Sequence, residues 1–156
     1  PNVAIMRTLS KIGFAALRVG YLLARPELAA AVDKARSPYN LPAVSQRLAT
    51  LVLTEHAAEI AATVRTVVTE RERMARELRT MGIATPSSEA NFLWMTTPMP
   101  AAEIHAQLGQ RGILVRSFAA KGGRLAQQLR VTVGTVEEND RFIAALREIV
   151  VAPRQP

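Results

Sequence analysis

RTLSKIGFAALRVGY, residues 7–21, is the stretch on which the interpretation of the whole chain depends. Branched residues lead into a Ser-Lys pair and then a glycine, which predicts a strand from Val3 to Leu9 running into an irregular turn. A second strand is predicted from Arg18 to Ala24. The stretch therefore predicts two short strands joined by a turn that carries Lys11.

The residue types around Lys11 suit the binding of an aldehyde and a phosphate. A lysine amine becomes available for Schiff-base chemistry when apolar walls and neighbouring cations disfavour its protonated form. Hydroxyls stand one and three residues before it, at Ser10 and Thr8, and Arg18 stands seven residues after it. Hydroxyls and a guanidinium are good partners for a phosphate dianion. By spacing alone, however, a lysine at the end of a strand is more often a solvated charge.

Hydrophobic periodicity predicts the elements of the remaining chain. Helices are expected at residues 26–36, 42–53 and 55–81, with Gly82 ending the third. The pattern then changes to strands at 91–96, 113–116 and 129–133 and helices at 101–110 and 137–150, with Thr135 as the N-cap of the last. The charged side chains of the long helix, including Glu70, Arg73, Arg76 and Glu77, are expected to form a solvated face. Phe92 and Trp94, two residues apart on a strand, are expected in the core.

Composition narrows the classes of function. The chain of 156 residues has no cysteine, which excludes disulfides, thiolate catalysis and cysteine-ligated metal and suits a cytoplasmic location. The net charge of +7 would suit nucleic acid, but the cations are scattered among acids and only seven residues are aromatic. The most apolar stretch is interrupted by Arg18, so no membrane span is predicted. His56 and His105 lack companions at metal-ligand spacing, and no metal site is expected.

Residues 7–21 closely resemble the lysine segment of the fold-type I, pyridoxal-phosphate-dependent aminotransferases, in the histidinol-phosphate aminotransferase branch. The resemblance implies that Lys11 is the Schiff-base lysine of a pyridoxal 5'-phosphate (PLP) cofactor. It also implies that Arg18, Ser10 and Thr8 bind the cofactor phosphate. The family often has glycine where this chain has Ala16, which is a small change in the turn.

The resemblance extends over about residues 5 to 150. Pro38-Tyr39-Asn40 and Ser88-Glu89-Ala90-Asn91-Phe92 match family segments, and Gly112 to Arg116 and Leu129 to Thr135 match its pair of arginine strands. This implies that Arg130 binds the α-carboxylate of glutamate and that Arg116 binds its side-chain carboxylate or the phosphate of the alternate substrate. Without the family, each arginine at a strand end would be a surface charge. Tyr21 is a candidate substrate contact, with simple packing as the alternative.

The resemblance implies an α/β fold in which the end of the PLP-transferase large domain precedes a small α+β domain. Residues 1–82 would hold the lysine segment and the long interdomain helix, residues 83–152 the small domain, and residues 153–156 a tail. In the family, the residues that contact the cofactor ring precede the lysine segment and a homodimer completes the site. We therefore expect this chain to be an incomplete piece that is inactive alone.

The implied reaction is transamination between glutamate and imidazole acetol phosphate, giving L-histidinol phosphate and 2-oxoglutarate in histidine biosynthesis. Two alternatives stay open. Within enzymes, a threonine-phosphate decarboxylase or an aromatic aminotransferase would share the lysine and arginine strands. From another class, a non-catalytic basic module could bind an anionic partner, and its binding would fall steeply with salt.

Overall fold

The computed structural model describes residues 3–151, and the predicted tail at residues 153–156 lies outside that range. The chain divides into two compact units, which meet inside a long helix between Val64 and Arg65. Sequence analysis places a boundary near residue 82 instead, at the end of that helix. The second half of the helix contributes Met74 and Leu78, both fully buried, to the core of the second unit. The division into large and small domains stays a prediction.

The first unit contains an antiparallel pair of strands followed by helices. Strand β1 (Ile5–Thr8) pairs with β2 (Gly20–Leu23), and two 3-10 turns at Leu9–Ile12 and Ala15–Leu17 join them. Helices α1 (Pro26–Ala35) and α2 (Ala43–Thr54) follow, and α3 (Ala57–Thr80) begins in this unit. Both predicted strands and all three predicted helices are confirmed, with end points that differ by at most two residues.

The second unit is a three-stranded antiparallel sheet with helices. Strand order is β3 (Phe92–Thr96), β5 (Gln128–Thr132), β4 (Arg116–Ser117), so β5 is central. Its helices are the second half of α3, α4 (Ala101–Gln110) and α5 (Val136–Val151). Leu93, Met95, Leu129 and Val131 lie in the core that this sheet shares with the helices. The mixed helix and strand content agrees with the predicted α/β class.

The predicted strand at residues 113–116 is wrong in its position, because only Arg116 and Ser117 pair with β5. The residues before them end α4 instead. Gly112 has a left-handed backbone (φ +72°), and the N–H of Ile113 donates to the carbonyl of Leu108 at 2.9 Å. This arrangement satisfies an otherwise unpaired carbonyl at the helix end, and it commits the backbone of Ile113 to the helix cap rather than to the sheet.

Two helix ends are as predicted. Gly82 has φ +74°, and the N–H of Ile83 donates to the carbonyl of Leu78 at 3.0 Å, which ends α3. At the start of α5, the hydroxyl of Thr135 accepts from the N–H of Glu138 at 3.2 Å, and the carboxylate of Glu138 accepts from the N–H of Thr135 at 2.8 Å. This reciprocal pair is a capping box, and it fixes the point where the chain turns from β5 into α5.

The predicted solvated face of the long helix is wrong at Glu70, whose side chain is buried. Its carboxylate accepts from the Arg73 guanidinium at 2.6 and 2.9 Å and from the Asn139 amide at 2.9 Å. Asn139, in turn, accepts from the N–H of Gly134 at 2.9 Å. Burial of a carboxylate is costly unless charged and polar partners surround it. The partner on α5 lies 69 residues away in sequence, so helical spacing within α3 gives no sign of it.

The charges in this cluster stabilise one another. The hydrogen bond from Arg73 holds the pKa of the Glu70 carboxyl below its usual value, and this outweighs the opposing effect of burial. Glu70, with help from Asp140 at 2.8 Å, raises the pKa of Arg73. A lowered carboxyl pKa in the folded state means that the ionised form stabilises the fold above the unfolded pKa of glutamate. That stabilisation is lost as the pH falls through the folded pKa.

We predict that Glu70→Gln lowers the free energy of unfolding of the second unit at pH 6 by about 1.5 kcal/mol, because a charged hydrogen-bond partner of Arg73 is lost. The difference between wild type and variant should shrink as the pH falls below the unfolded pKa of glutamate, about 4.3, towards the lowered pKa of Glu70 in the folded protein. Urea unfolding followed by the fluorescence of Trp94, the single tryptophan, measures it. The exposed Glu103 supplies the control, and Glu103→Gln should parallel the wild type. A constant Glu70→Gln difference from pH 6 to 3 would contradict the prediction.

Candidate functional site

Lys11 lies on the 3-10 turn Leu9–Ile12, which is held from both ends. Leu9 is fully buried, and its N–H donates to the carbonyl of Val19 at 3.1 Å. The Thr8 hydroxyl accepts from the N–H of Ser10 at 3.1 Å and so caps the start of the turn. Gly13, with φ +102°, ends it, a backbone conformation that favours glycine. The turn thus gives the lysine a defined position although the turn is only four residues long.

The lysine side chain itself is exposed. Sequence analysis suggested apolar walls around it, and the described residues do not bury it. The small cluster of Leu9, Val19 and Ala49 lies beneath the turn and anchors its backbone. The first unit therefore positions Lys11 through its main chain and leaves the amine accessible.

Arg18 stands at the second bend of this segment. Its backbone is left-handed (φ 55°), which is uncommon for a residue with a side chain and marks a position held by its surroundings. One guanidinium nitrogen donates to the carbonyl of Ala15 at 3.3 Å. Among the described residues Arg18 forms no ion pair, so its charge is available to an anion.

A cleft of about 800 Å³ lies beside the two strands of the first unit. Thr8, Arg18 and Tyr21 line it together with Arg7, whereas Ser10 and Lys11 are on the adjoining turn and do not line it. The cleft also contains Arg36, which pairs with Asp33 at 2.8 Å. Since Arg7 and Arg18 have no acid partner among the described residues, the lining is cationic. A cleft of this size and charge suits a phosphorylated small molecule.

The donor chemistry of this segment fits PLP. A phosphate requires N–H and O–H donors and positive charge, and Arg18 and Ser10 provide both. The Thr8 hydroxyl caps the lysine turn, and its second contact, to the carbonyl of Val19, is long at 3.5 Å. An aldehyde requires an accessible amine, which Lys11 provides.

Two arginines stand side by side on the sheet of the second unit. Arg130 on β5 lies directly opposite Trp94 on β3 and directly opposite Arg116 on β4. Residues opposite each other across antiparallel strands have Cβ atoms about 4.5–5.5 Å apart and share one face of the sheet. The sheet therefore places both predicted substrate arginines on the same face.

These arginines have no acidic partner among the described residues. Like charges directly opposite each other destabilise a sheet, so the arrangement costs stability by itself. The Nε of Arg130 is closed to solvent and lacks a hydrogen-bond partner. A buried donor without a partner is uncommon and marks a place where an anion, ion or water is needed. A bound carboxylate or phosphate would offset the repulsion between the two guanidinium groups.

Aromatic rings contact the two guanidinium groups. The Cζ atom of Arg130 lies 4.9 Å from the ring centroid of Phe92, and that of Arg116 lies 5.4 Å from the centroid of Phe118. The rings of Trp94 and Phe118 are 4.5 Å apart at their centroids. The prediction that Phe92 and Trp94 belong to the core is wrong: both are half-buried, while Leu93 and Met95, which alternate with them, fill the core.

Both arginines were predicted from the sequence, but their contacts with aromatic rings were not. Side chains alternate between the faces of a strand, so the buried Leu93 and Leu129 already place Phe92, Trp94 and Arg130 on the other face. That signal was present in the period-two pattern. Arg116 and Phe118 have the same two-residue spacing, but the predicted strand ended at Arg116 and so left Phe118 out.

Other candidate chemistry is absent from the described part of the chain. Residues 3–151 contain no group of three or more His, Cys, Asp or Glu side chains that could hold a metal ion. His56 pairs with Glu59 at 3.5 Å at the start of α3, and His105 is half-buried on α4. None of the helices in this range is long and apolar enough to cross a membrane.

Comparison with known proteins gives a consistent result. The family model "Aminotransferase class I and II" matches residues 1–146. The histidinol-phosphate aminotransferase of Aquifex aeolicus is 41% identical over 150 residues, which is 96% of this chain and 42% of that protein. This chain thus spans about two fifths of the length of the curated relatives it matches.

Solved structures agree in fold. The histidinol-phosphate aminotransferase of Sinorhizobium meliloti, in complex with pyridoxal-5'-phosphate, has a TM-score of 0.79 and 28% identity, and covers 97% of this chain and 42% of that one. A decarboxylase from Sulfurospirillum multivorans has a TM-score of 0.81 and 26% identity, and covers 96% of this chain and 44% of that one.

We predict opposite effects of the same substitution at two glycines. A Cβ at Gly20 would lie 2.8 Å from the carbonyl oxygen of Arg7, too close for any real contact, so Gly20→Ala must separate β1 from β2 beside the lysine turn. We expect a loss of about 1–3 kcal/mol in the first unit. Gly109 on α4 has open space around it, and Gly109→Ala should gain about 0.5–1 kcal/mol. Thermal unfolding of both variants measures this, and equal effects at the two positions would refute the packing argument.

Proposed function

Because this chain belongs to the class I and II aminotransferase family, we propose that it forms part of a PLP-dependent enzyme that transfers an amino group between glutamate and imidazole acetol phosphate. The products are 2-oxoglutarate and L-histidinol phosphate. The observation that carries the proposal is the pair Arg116 and Arg130, adjacent on one sheet face without acid partners. Both substrates are anions, and such a pair suits them.

Lys11 is the residue we assign to covalent capture of the cofactor and to proton transfer. Its exposed amine is on a turn fixed by the buried Leu9. When bound, PLP supplies a conjugated ring that accepts the electron pair left on the substrate α-carbon. The Lys11 amine would serve as the general base and acid that moves the proton of the substrate α-carbon.

Arg18 and Ser10, with Thr8, are the residues we assign to the cofactor phosphate. The guanidinium offers in-plane N–H donors, and the backbone of Arg18 is held in a left-handed conformation. Thr8 contributes mainly by capping the turn that carries Ser10 and Lys11. Binding of the phosphate by these residues would hold the cofactor close to the turn that carries Lys11.

Arg130 is assigned to the α-carboxylate of glutamate, and Arg116 to the distal anion. The distal anion is a carboxylate in glutamate and a phosphate in the imidazole substrate. A planar guanidinium pairs with either through two parallel hydrogen bonds, which a lysine ammonium does not reproduce. Tyr21, exposed in the cleft opposite Arg7, is a further candidate contact with substrate.

The complete enzyme is proposed to be a cytoplasmic homodimer in which the residues that contact the cofactor ring come from sequence beyond this chain. The similarity to a decarboxylase supports one alternative, a PLP enzyme that removes carboxylate from a phosphorylated amino acid. Product analysis separates the two reactions. Transamination releases 2-oxoglutarate from glutamate, whereas decarboxylation releases carbon dioxide from threonine phosphate.

We predict that PLP reacts selectively at Lys11. The chain has three lysines, Lys11, Lys34 and Lys121, so Lys34 and Lys121 serve as controls within the same molecule. After incubation with PLP and reduction by borohydride, peptide mapping should find the adduct mainly on Lys11, and Lys11→Ala should remove it. Lys34→Ala, at an exposed position on α1, is the matched control and should leave the adduct in place. An even distribution over the three lysines would show unspecific labelling and count against the assignment.

We also predict that residues 1–156 alone do not transaminate glutamate. The family keeps its contacts to the cofactor ring before the lysine segment, and the described residues of this chain leave Lys11 exposed. Addition of a second chain that carries the preceding family segments should restore 2-oxoglutarate formation in a coupled assay. Turnover by the 156-residue chain in the absence of any longer form would disprove this expectation.

A further inference from the structure

We propose that Phe92 and Phe118 are positioning residues for the two substrate arginines, Phe92 for Arg130 and Phe118 for Arg116. The rings hold the guanidinium groups in place and leave their N–H edges for the anionic groups of the substrate. This inference rests on the proposed function, since it concerns how the same arginines are prepared for binding.

The contacts are direct. Each arginine Cζ lies within 5.4 Å of the centroid of its ring, the range in which a cation is attracted by the face of an aromatic system. Phe92 is on β3, and Phe118 follows β4, with its N–H bound to the carbonyl of Gln128 on β5 at 3.1 Å. Both rings are thus tied to the same sheet as the arginines. Trp94 supports Phe118 from the side, with the two ring planes tilted by 43°.

An aromatic ring and a carboxylate hold an arginine side chain in different ways. A carboxylate partner would neutralise the guanidinium and occupy the in-plane N–H donors that a substrate carboxylate needs. An aromatic face contacts the plane of the guanidinium and leaves those donors free. It also restricts a side chain with high rotamer entropy before the ligand arrives, which lowers the cost of binding.

Other arginines of the second unit show the contrast. Arg73 binds Glu70 and Asp140, Arg147 binds Glu77 at 2.6 Å, and Arg111 pairs with Glu148 at 3.6 Å. Each of those arginines has an acid partner. Arg116 and Arg130 are contacted by rings instead, and they are the two that the proposed function assigns to substrate.

The two positions should differ in strength. Arg130 is half-buried and its Nε is closed to solvent, whereas Arg116 is exposed. A cation contacting a ring is stabilised more when both are removed from water. Loss of the Phe92 ring should therefore weaken anion binding more than loss of the Phe118 ring.

The test uses glutarate, which has the two carboxylates of glutamate and no reactive amine. Its affinity is measured by calorimetric titration at low salt for the 156-residue chain combined with the second chain that carries the preceding family segments. Phe92→Leu and Phe118→Leu remove the ring and keep an apolar side chain, whereas Phe92→Tyr and Phe118→Tyr keep the ring. Arg116→Ala and Arg130→Ala report on the anion site itself. Arg111→Ala is the control, an arginine of the same unit with an acid partner.

We expect Phe118→Leu to weaken glutarate binding about 2- to 5-fold and Phe92→Leu about 5- to 20-fold, with the tyrosine variants within about 2-fold of wild type. Arg116→Ala and Arg130→Ala should weaken it about 10-fold or more, and Arg111→Ala should have no effect.

A second measurement does not depend on binding or on how a variant tolerates the loss of bulk. The Nε–H resonance of Arg130 should be displaced by the ring of Phe92, and it should return toward the usual arginine position in Phe92→Leu but not in Phe92→Tyr. This measurement reports whether the ring contacts the Arg130 guanidinium in solution, and the glutarate affinities of the leucine and tyrosine variants report whether that contact serves binding.

The outcomes separate the two hypotheses. If both leucine variants bind glutarate like the wild type while the arginine variants lose it, the anion site stands and the positioning role is overturned. If the arginine variants also bind like the wild type in the presence of the second chain, the assignment of substrate to these arginines is wrong. An unmoved Arg130 resonance in Phe92→Leu overturns the positioning role on its own.

Discussion

The antiparallel pairing of β5 with a strand on each side is the constraint on which the second unit depends. Side chains alternate between the two faces of a strand, so the register that buries Leu129 and Val131 also turns Arg130 to the other face. A slip of one residue would expose the leucine and bury the arginine. Hydrophobic burial therefore selects the register, and the register places Arg116 and Arg130 beside each other.

The turn that leaves β5 is held just as closely. The capping box between Thr135 and Glu138 begins α5 at once, and the Asn139 side chain ties the turn at Gly134 to the buried Glu70 on α3. Each polar group in this cluster has partners, so burial does not leave an unpaired charge. The central strand is thus fixed by the core on one face and by this cluster at its end.

The first unit follows a different principle on a smaller scale. A four-residue 3-10 turn has little stability of its own, and here the buried Leu9, the cap from Thr8 and the left-handed Gly13 hold it. The result is an accessible lysine with a well-defined backbone. Neighbouring cations such as Arg18 are held by backbone geometry as well, rather than by acids that would compete with a phosphate.

Sequence alone determined the order and type of the elements, the end of α3 at Gly82 and the cap at Thr135, because these depend on neighbours within a few residues. It also identified the lysine turn and the arginine strands through their resemblance to a family. Tertiary structure decided what depends on distant partners: the buried pairing of Glu70 with Asn139 and the ring of Phe92 against Arg130. Local periodicity shows which face a residue takes, but only packing between distant segments shows what it meets there.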